Sequence, residues 1–551
     1  MLSTFPDQLA IAAVAGVGTH ALYLNRGERH MQVPRYVQLV FLSWILGVGL
    51  YYRFAVNSTL LTAAYDSTIL HTAYFSGIYS SLLIYRLFLN PLNKFPGPFG
   101  SRLSSLTLSW RVRKGDGHIQ LAKLHSQYGH FVRITPGEIS VSHPEAIELI
   151  QGPASKCIKG SNYDVAKPFA SLQLTRDKTE HALRRKVWNP AFSERAIRGY
   201  DQRIRVYQDR LVSKLVEREG RPVEFSQLIM WYSFDVMGDM AFGRSYNMLE
   251  TSKNHWAIDL AEAGLKPVRY YPPMWFMRLA LAIPGLTRDW YRYFDFCRDS
   301  MLERRKTTPD IPDVMSFVLA PHEKSQELTP HELMWLTGDS QLIISAGSDT
   351  SAATIVASIY YLVRNPSQME KLRRELDPLW AERPAAAAAD STGIPPEKLA
   401  TLNHLNGVIN EALRLLPPVP TQTIRQTPPE GITVAGTHIP GGVDVWSPQY
   451  IVGRDENNYA HADSFIPERW YSSPELVKDP RVFVPFTIGP YNCIGKPLAL
   501  MNIRSVISKL VCNFDIDFAP GEDGSRVEKE AVDNFIVRIG PVDLTFKTRA
   551  I

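Results

Sequence analysis

The sequence predicts a mainly α-helical protein with a small β portion, preceded by transmembrane helices at its N-terminus. Three long apolar stretches, at about 8–24, 36–52 and 68–89, each approach the length that crosses a bilayer core. From about residue 102 onward the hydrophobic pattern is mostly helical. Strand-like runs are confined to short segments, at about 131–141, 431–445 and 535–546. The 551 residues, 45% of them hydrophobic, are enough for a large domain with a sizeable core.

Residues 1–90 are interpreted as a membrane anchor of one to three transmembrane helices. A buried core helix or an interfacial segment is the alternative for each apolar stretch. Arg26, Arg29 and Arg35 lie between the first two stretches, and further basic residues follow the third. Positive residues favour the cytoplasmic side, so three spans would place the N-terminus in the lumen.

The connection after the second apolar stretch would then face the lumen. It contains Asn57-Ser58-Thr59, an acceptor sequence for N-glycosylation. Asn57 is therefore a candidate glycosylation site, although its closeness to the membrane could keep it unmodified.

Prolines mark the boundary between this anchor and the rest of the chain. Residues 91–101 read "PLNKFPGPFGS" and cannot continue a helix. We interpret them as a stiff proline-rich hinge that leads into one domain at 102–551. An ordinary turn would have the same local shape.

Charge and cysteine content exclude several classes of protein. The net charge of +5 is small for this length, so nothing in the composition requires a nucleic-acid partner. The four cysteines are far apart in the sequence and form no CxxC pair. This spacing favours a reducing compartment over a disulfide-stabilised secreted protein.

One helix is unusually well defined by its ends. Thr329 and Glu332 form a capping box around Pro330, and Asn365-Pro366 ends the pattern after Arg364. At about 1.5 Å per residue, such a helix spans roughly 50 Å, the width of a large domain.

Small and polar residues interrupt the middle of this helix. Ala346, Gly347 and Ser348 stand where a core helix usually has larger apolar side chains. They indicate either a bulky group against this face or close packing of another helix. Asp349 and Thr350 follow, and an acid beside a hydroxyl can bind water and pass protons. As a capping or back-bonding pair they would only be structural.

The segment "FTIGPYNCIG" surrounds one cysteine, Cys493, with Phe486, Gly489 and Gly495. The two glycines permit a tight turn and a close approach to a flat ring, while the phenylalanine can shield the sulfur from water. This pattern suits a thiolate that ligates haem iron. A free cysteine in the core is the alternative.

Together these motifs resemble the cytochrome P450 family of haem-thiolate monooxygenases, and they occur in that family's order from about Pro91 to the C-terminus. The resemblance implies the cytochrome P450 fold, haem with Cys493 as its axial iron ligand, and a haem-contacting loop of Phe486, Gly489, Tyr491 and Gly495. It also implies a haem-facing helix at Ala346 and Gly347, where Asp349 and Thr350 take part in oxygen activation. It further implies that His181, Arg185 and Arg425 bind the haem propionates. Glu411, Arg414 and Arg469 are implied to form a structural ion cluster.

Tyr491 departs from the family pattern, which usually has an arginine two residues before the cysteine. A phenol can donate a hydrogen bond but cannot neutralise a propionate. We therefore expect Arg185, Arg425 and His181 to carry more of this interaction, and the grip on haem or its potential to be altered.

The resemblance also implies the reaction and its partners. We expect a monooxygenase that uses O₂ and two electrons from NADPH-cytochrome P450 reductase, with cytochrome b5 as a second possible donor, to hydroxylate or otherwise oxidise a lipophilic small molecule. A fungal secondary metabolite is the expected substrate. The expected location is the endoplasmic reticulum membrane with the catalytic domain in the cytosol. The alternatives are an isomerase or dehydratase of the same fold and a non-enzymatic haem-binding protein.

Overall fold

The computed structural model describes residues 4–55, 58–323, 327–382 and 393–549. The predicted glycosylation site Asn57 lies outside these residues. The α-helices of the described part are α1 (Phe5–Thr19), α2 (Val33–Phe54), α3 (Leu60–Ile84), α4 (Phe99–Leu103), α5 (Leu106–Arg111), α6 (Gly117–Tyr128), α7 (Pro144–Gln151), α8 (Lys178–Trp188), α9 (Glu194–Val216), α10 (Phe225–Phe242), α11 (Met248–Thr251), α12 (Trp256–Leu265), α13 (Met274–Ala282), α14 (Arg288–Arg304), α15 (Val314–Leu319), α16 (Pro330–Arg364), α17 (Pro366–Ala381), α18 (Pro396–Ala400), α19 (Asn403–Leu415), α20 (Gln449–Gly453), α21 (Lys496–Asn513) and α22 (Arg526–Lys529).

The β portion is small, as the sequence predicts. Its strands are β1 (Phe131–Thr135), β2 (Glu138–Val141), β3 (Ile158–Lys159), β4 (Val223–Glu224), β5 (Ile424–Gln426), β6 (Ile432–Val434), β7 (Thr437–Ile439), β8 (Asp444–Trp446), β9 (Phe514–Phe518), β10 (Val532–Asn534), β11 (Ile536–Arg538) and β12 (Asp543–Thr548). The largest sheet has the order β1-β2-β8-β5-β3, and β4-β12-β9 form a second sheet. Lys159 on β3 is paired with Arg425 on β5, although the two residues are far apart in the sequence.

Helix α16 is the central element of the domain, and its bounds agree with those predicted. The Thr329 hydroxyl accepts a hydrogen bond from the Glu332 N–H at 3.2 Å, and the Glu332 carboxylate accepts one from the Thr329 N–H at 2.8 Å. Helices α10, α14, α19 and α21 pack around α16. Most of α16 is buried on all sides, so this helix lies in the core of the domain and can hold the site residues in place.

The N-terminal helices α1 and α2 both pack against α3, which lies at the centre of a three-helix bundle. Between α1 and α2, the Tyr51 hydroxyl donates to Gln8 Oε1 at 2.7 Å. Single π-helical turns extend α1 to Leu24 and α3 to Leu89. At the crossing of α1 and α3, a Cβ on Gly16 would overlap the backbone of Tyr74, and a Cβ on Gly77 would overlap that of Ala13. The backbones therefore approach as closely as in the small-residue contacts of membrane helices.

Polar side chains connect the bundle internally, whereas its outer surface is apolar. His20 Nδ1 lies 2.8 Å from Ser81 Oγ, and Trp44 Nε1 donates to Thr68 Oγ1 at 3.0 Å. Large apolar side chains point outward on all three helices, among them Val14, Leu46 and Leu61, which are 72%, 63% and 81% exposed.

Two helices in the described part of the chain are long and apolar enough, taken singly, to cross a membrane. They span 30–54 and 330–364, and 72% of the apolar window of the second is buried inside the domain. Only the middle of the three predicted stretches therefore meets this criterion by its own length and hydropathy.

Candidate active site

The loop before α21 holds Cys493 in a tight turn. The Cys493 N–H donates to the Phe486 carbonyl at 2.8 Å, and the Asn492 N–H donates to the Gly489 carbonyl at 3.1 Å. Gly489 has a φ of +68°, and a Cβ at this position would overlap the carbonyl oxygen of Gln151. The turn thus requires glycine both for its backbone conformation and for its contact with the end of α7.

Cys493 differs from the other three cysteines because it alone is exposed. The surrounding protein is nevertheless dense enough that burial raises the pKa of its thiol. The backbone N–H groups of Gly495 and Lys496 and the charge of Arg185 act in the opposite direction. Cys493 lies at the positive N-terminal end of α21, where a thiolate is favoured.

Tyr491 lies among cations. Lys159 Nζ lies 4.8 Å from the centre of the Tyr491 ring, the Arg425 guanidinium carbon lies 5.1 Å from it, and the His181 ring centre lies 4.7 Å from it. The Tyr491 hydroxyl is buried and has no hydrogen-bond partner among the described residues. The aromatic ring stabilises the neighbouring charges through its face instead of adding another charge.

Lys159 was not identified from the sequence. Its side chain is 3% exposed, and its Nζ donates to the carbonyls of Leu172 and Gln173 at 3.0 and 2.7 Å. Burial, Arg425 and Arg185 all lower its pKa. No local motif marks this lysine, since only the pairing of β3 with β5 brings it to Arg425.

The basic residues of this cluster lack acidic partners. Lys159, Arg425, Arg185 and His181 form no ion pair with any carboxylate in the part of the chain that the structure describes. The buried Arg425 Nε has no hydrogen-bond partner there. Burial and the three neighbouring cations lower the pKa of His181 to about 3, so its imidazole is neutral. Such a cluster is suited to an anionic group that is not part of the protein.

Arg185 on α8 contacts the cysteine loop. Its Nη1 donates to the Asn492 carbonyl at 2.6 Å, and its Nη2 donates to Asn492 Oδ1 at 2.7 Å. From the sequence we expected Arg185 to contact a haem propionate, and that contact stays a prediction. In this position Arg185 also fixes the residue before Cys493.

On α16, the small residues have two different neighbours. A Cβ on Gly347 would overlap the side chain of Met237 on α10, so close helix packing accounts for this glycine. Ala346 instead lines the large cavity of the domain, as does Asp349. Gly347 thus agrees with the helix-packing alternative, whereas Ala346 lines the cavity; contact of either residue with haem stays a prediction.

Asp349 and Thr350 are oriented differently. The Thr350 hydroxyl donates to the Ala346 carbonyl at 2.7 Å, which is the back-bonding alternative. Burial, with a contribution from Glu262, raises the pKa of Asp349 to about 7, and Arg538 opposes this shift only partly. A carboxyl group that exchanges its proton near neutral pH thus lies in the cavity wall.

The cavity has a volume of about 820 Å³. Its walls come from α12, α13, α16 and the strands near the C-terminus, and they are mainly apolar. Representative lining residues are Tyr163, Met230, Phe276, Leu342, Ile424 and Phe535. A few polar groups, such as Gln422 Nε2 and Asn534 Oδ1, are buried there without a hydrogen-bond partner among the described residues. This combination is suited to an apolar ligand that has a few polar atoms.

The domain also contains a fully buried ion cluster. The Glu411 carboxylate accepts hydrogen bonds from Arg414 Nε at 2.9 Å, Arg469 Nε at 2.8 Å and Trp470 Nε1 at 2.9 Å. The side chains of Glu411, Arg414 and Arg469 are all 0% exposed. The sequence contains a second candidate pair, Glu370 with Arg373, but Glu370 instead forms an exposed pair with Arg374.

A family model described as Cytochrome P450 matches residues 96–546. The chain belongs to the cytochrome P450 family. Its fold is the fold predicted from the motifs, and the protein is an oxidoreductase that incorporates oxygen. The family uses a haem, and the residues here fit that group: an accessible thiol, cations without acidic partners and a loop closed by glycine.

Curated fungal relatives cover almost the whole chain. Tryprostatin B 6-hydroxylase of Aspergillus fumigatus is 44% identical over 546 residues, which cover 98% of this chain and 96% of the relative. Cytochrome P450 monooxygenase notG' of Aspergillus versicolor is 41% identical, covering 97% of each chain. Cytochrome P450 monooxygenase lcsK of Purpureocillium lilacinum is 35% identical, covering 95% of each. The similarity includes the N-terminal bundle as well as the catalytic domain.

Proposed function

We propose that this cytochrome P450 is a membrane-bound haem-thiolate monooxygenase that hydroxylates a lipophilic secondary metabolite. NADPH-cytochrome P450 reductase supplies the two electrons, and cytochrome b5 is a second candidate donor. The observation that carries the proposal is the exposed Cys493, whose neighbour in the loop, Tyr491, packs against Lys159 and Arg425, two buried side chains that form no ion pair in the described structure. When bound, haem supplies the activation of O₂ and the insertion of an oxygen atom into the substrate.

The residues on the cysteine side would hold the haem. Cys493 would ligate the iron, while Gly489 and Gly495 would let the loop lie close to the ring and Phe486 would shield the sulfur. Arg425 and Lys159 would bind the propionates, because both are buried without a carboxylate partner in the described structure. Arg185 holds Asn492 and thereby positions the ligand.

The residues on the α16 side would supply protons. Asp349 exchanges a proton near neutral pH because its pKa is raised to about 7. Thr350 lies next to it and must release its hydrogen bond to the Ala346 carbonyl before its hydroxyl can donate elsewhere. The mainly apolar wall limits the access of bulk water to these two groups.

The cavity and the relatives together support the substrate class. A volume of about 820 Å³ with mainly apolar walls accommodates a small molecule of several rings. A relative that covers nearly the whole chain is named as a hydroxylase of tryprostatin B. We infer that the substrate here is likewise a lipophilic metabolite and that hydroxylation is the reaction.

The N-terminal bundle supports residence in the endoplasmic reticulum membrane with the catalytic domain in the cytosol. Three packed helices with an apolar outer surface would form three spans, connected through residues 91–101 to the domain at 102–551. The basic residues at 26, 29 and 35 favour the cytosolic side for the first connection.

The direct test is the spectrum of the purified full-length protein after reduction and addition of carbon monoxide. We expect the strongly red-shifted Soret band that a thiolate-ligated haem gives. Cys493→Ser should lose this band, whereas Cys297→Ser, which replaces a buried cysteine remote from the loop, should retain it. If well-folded native protein never shows the band, the proposed iron ligand is wrong.

The role of Lys159 can be tested separately by haem retention. Lys159→Met should release haem to apomyoglobin about tenfold faster than the native protein, since it removes a buried cation from the propionates. Lys156→Met is the matched control, because Lys156 lies on the same segment but is 75% exposed and pairs with Glu430. Equal release rates for the two variants would contradict the assignment of Lys159.

A further inference from the structure

The connection between α1 and α2 reaches the catalytic domain. Arg176 precedes α8 and donates from Nη1 to Glu28 Oε2 and from Nη2 to Glu28 Oε1, both at 2.6 Å. Gln426 on β5 donates to Glu28 Oε1 at 2.7 Å. A bidentate ion pair of this kind fixes the orientation of both side chains, whereas a single hydrogen bond at the surface does not.

A second carboxylate completes this contact from the domain side. Asp164 is 2% exposed, and its Oδ2 lies 2.7 Å from Arg176 Nη1 and 2.9 Å from His30 Nε2. Lys167 Nζ lies 2.7 Å from Asp164 Oδ1. Glu28 and His30, on the connection, therefore share one charge network with Asp164, Arg176 and Lys167 on the domain.

Glu28, His30 and Asp164 also have the composition of a metal site, since one ligand atom of each lies within 4.8 Å of the others. The guanidinium of Arg176 already contacts both carboxylates. It supplies the positive charge that a metal ion would bring, so the network is better described as an ion-paired contact between two parts of the chain.

The contact lies directly behind the substrate cavity. Asp164 is the last residue of a short 3₁₀ helix, Ser161–Asp164, and Ser161, Asn162 and Tyr163 line the cavity. Helix α13 also contributes to the cavity wall and packs against α2 and the turn at 30–32. The bundle thus meets the domain at two elements that shape the same cavity.

We propose that residues 25–32 form an anchor clamp, through which the membrane bundle holds the cavity wall at 161–164 in place. Glu28 is the positioning residue. Among the described residues of this connection, it alone forms an ion pair with Arg176. The clamp therefore contributes to substrate affinity without touching the substrate. The inference goes beyond the proposed oxidation, and its structural part can be tested without the reaction.

The geometry can be tested by cross-linking the haem-loaded full chain in lipid nanodiscs. Cysteines replacing Glu28 and Gln426 should be joined by a short bifunctional thiol reagent, since their native side chains are in contact. Cysteines replacing Arg53 and Gln426 are the control, because Arg53 lies at the other end of the 22-residue helix α2, about 30 Å away along its axis. If the first pair fails to cross-link in folded protein, or if both pairs do so equally, the clamp is not formed in a membrane.

The effect on the cavity can be tested with two haem-binding probes. Clotrimazole fills a large part of a cavity, whereas imidazole needs only the iron. Glu28→Gln should weaken clotrimazole about fivefold, the factor expected for one well-oriented, partly exposed ion pair, and leave imidazole unchanged. Glu430→Gln, which breaks the exposed pair with Lys156, should change neither.

These probes separate the clamp from the proposed function. Loss of imidazole binding in native protein would count against the haem site and not against the clamp. Unchanged clotrimazole affinity in Glu28→Gln, with imidazole binding intact, would overturn the role of the clamp in shaping the cavity. Replacing Glu28 by Asp, which retains the charge, should restore part of the clotrimazole affinity.

Discussion

Tyr491 shows how a single site can lack the arginine that the family usually has there and still be surrounded by positive charge. The phenol ring packs against Lys159 and Arg425 at 4.8 and 5.1 Å, so two buried cations flank the position where the family usually has one arginine. The absence of that arginine was visible in the sequence, but its replacement was not. Lys159 reaches the site only through strand pairing across more than 260 positions of the chain.

Asp349 leads to a prediction about pH. Its pKa is raised to about 7, so between pH 4 and pH 7 the folded state binds more protons than the unfolded state. The stabilisation that protonated Asp349 contributes should therefore fall as pH rises through this range. Asp349→Asn lacks this proton, and its stability relative to the native protein should increase by about 2 kcal/mol from pH 5 to pH 8.

The measurement is thermal unfolding of both proteins at several pH values. Asp289→Asn, at an exposed ion pair with Arg292, should show no comparable trend. A constant difference between Asp349→Asn and the native protein across this range would contradict the raised pKa.

At the scale of elements, α16 could be predicted to the residue because its signals are local. A capping box at Thr329 and a proline after Asn365 define both ends without any knowledge of the tertiary structure. The role of Gly347 could not be predicted, since it depends on Met237 of another helix. The sequence motifs thus located α16, whereas the contacts of each face of this helix depend on tertiary packing.

The cysteine loop gives a prediction about one turn. Gly489→Ala should reduce haem incorporation severely, because it combines an unfavourable φ of +68° with an overlap on the Gln151 carbonyl. Gly442→Ala is the matched control, with a φ of +72° and no atom within 4 Å of the added Cβ. The ratio of haem to protein absorbance measures the outcome, and similar ratios for both variants would show that the overlap does not matter.

The buried ion cluster gives a second prediction at this scale. Glu411→Gln removes the charge that two fully buried arginines share, and it should destabilise the domain by about 3–5 kcal/mol. Glu370→Gln changes the exposed pair with Arg374 and should cost no more than about 0.5 kcal/mol. Denaturant unfolding in detergent compares the two, and a small loss for Glu411→Gln would mean that the cluster relaxes without its charge.

At the scale of the whole molecule, the fold was predictable because the family motifs lie in order along one chain, and the matching family model spans 96–546. The relation of the anchor to the domain was not predictable. It depends on Glu28 and Arg176, two ordinary charged residues that no motif connects. Hydropathy indicated three apolar stretches but could not show that they pack into one bundle.

The bundle gives a prediction about topology. Three spans with the 25–32 connection on the domain side place the N-terminus in the lumen. A glycosylation tag added before residue 1 should therefore be modified in microsomes, whereas the same tag inserted between Asn25 and Arg26 should not. Endoglycosidase-sensitive gel shifts report both, and modification of the inserted tag would exclude contact between Glu28 and Arg176 in the membrane.

The Glu28–Arg176 pair has a practical consequence for drug discovery and enzyme engineering. A version starting near residue 91 would leave Arg176 and the nearly inaccessible Asp164 without two of their partners, Glu28 and His30. Inhibitor rankings and substrate screens performed on such a shortened form would describe a looser binding chamber than the one the cell uses.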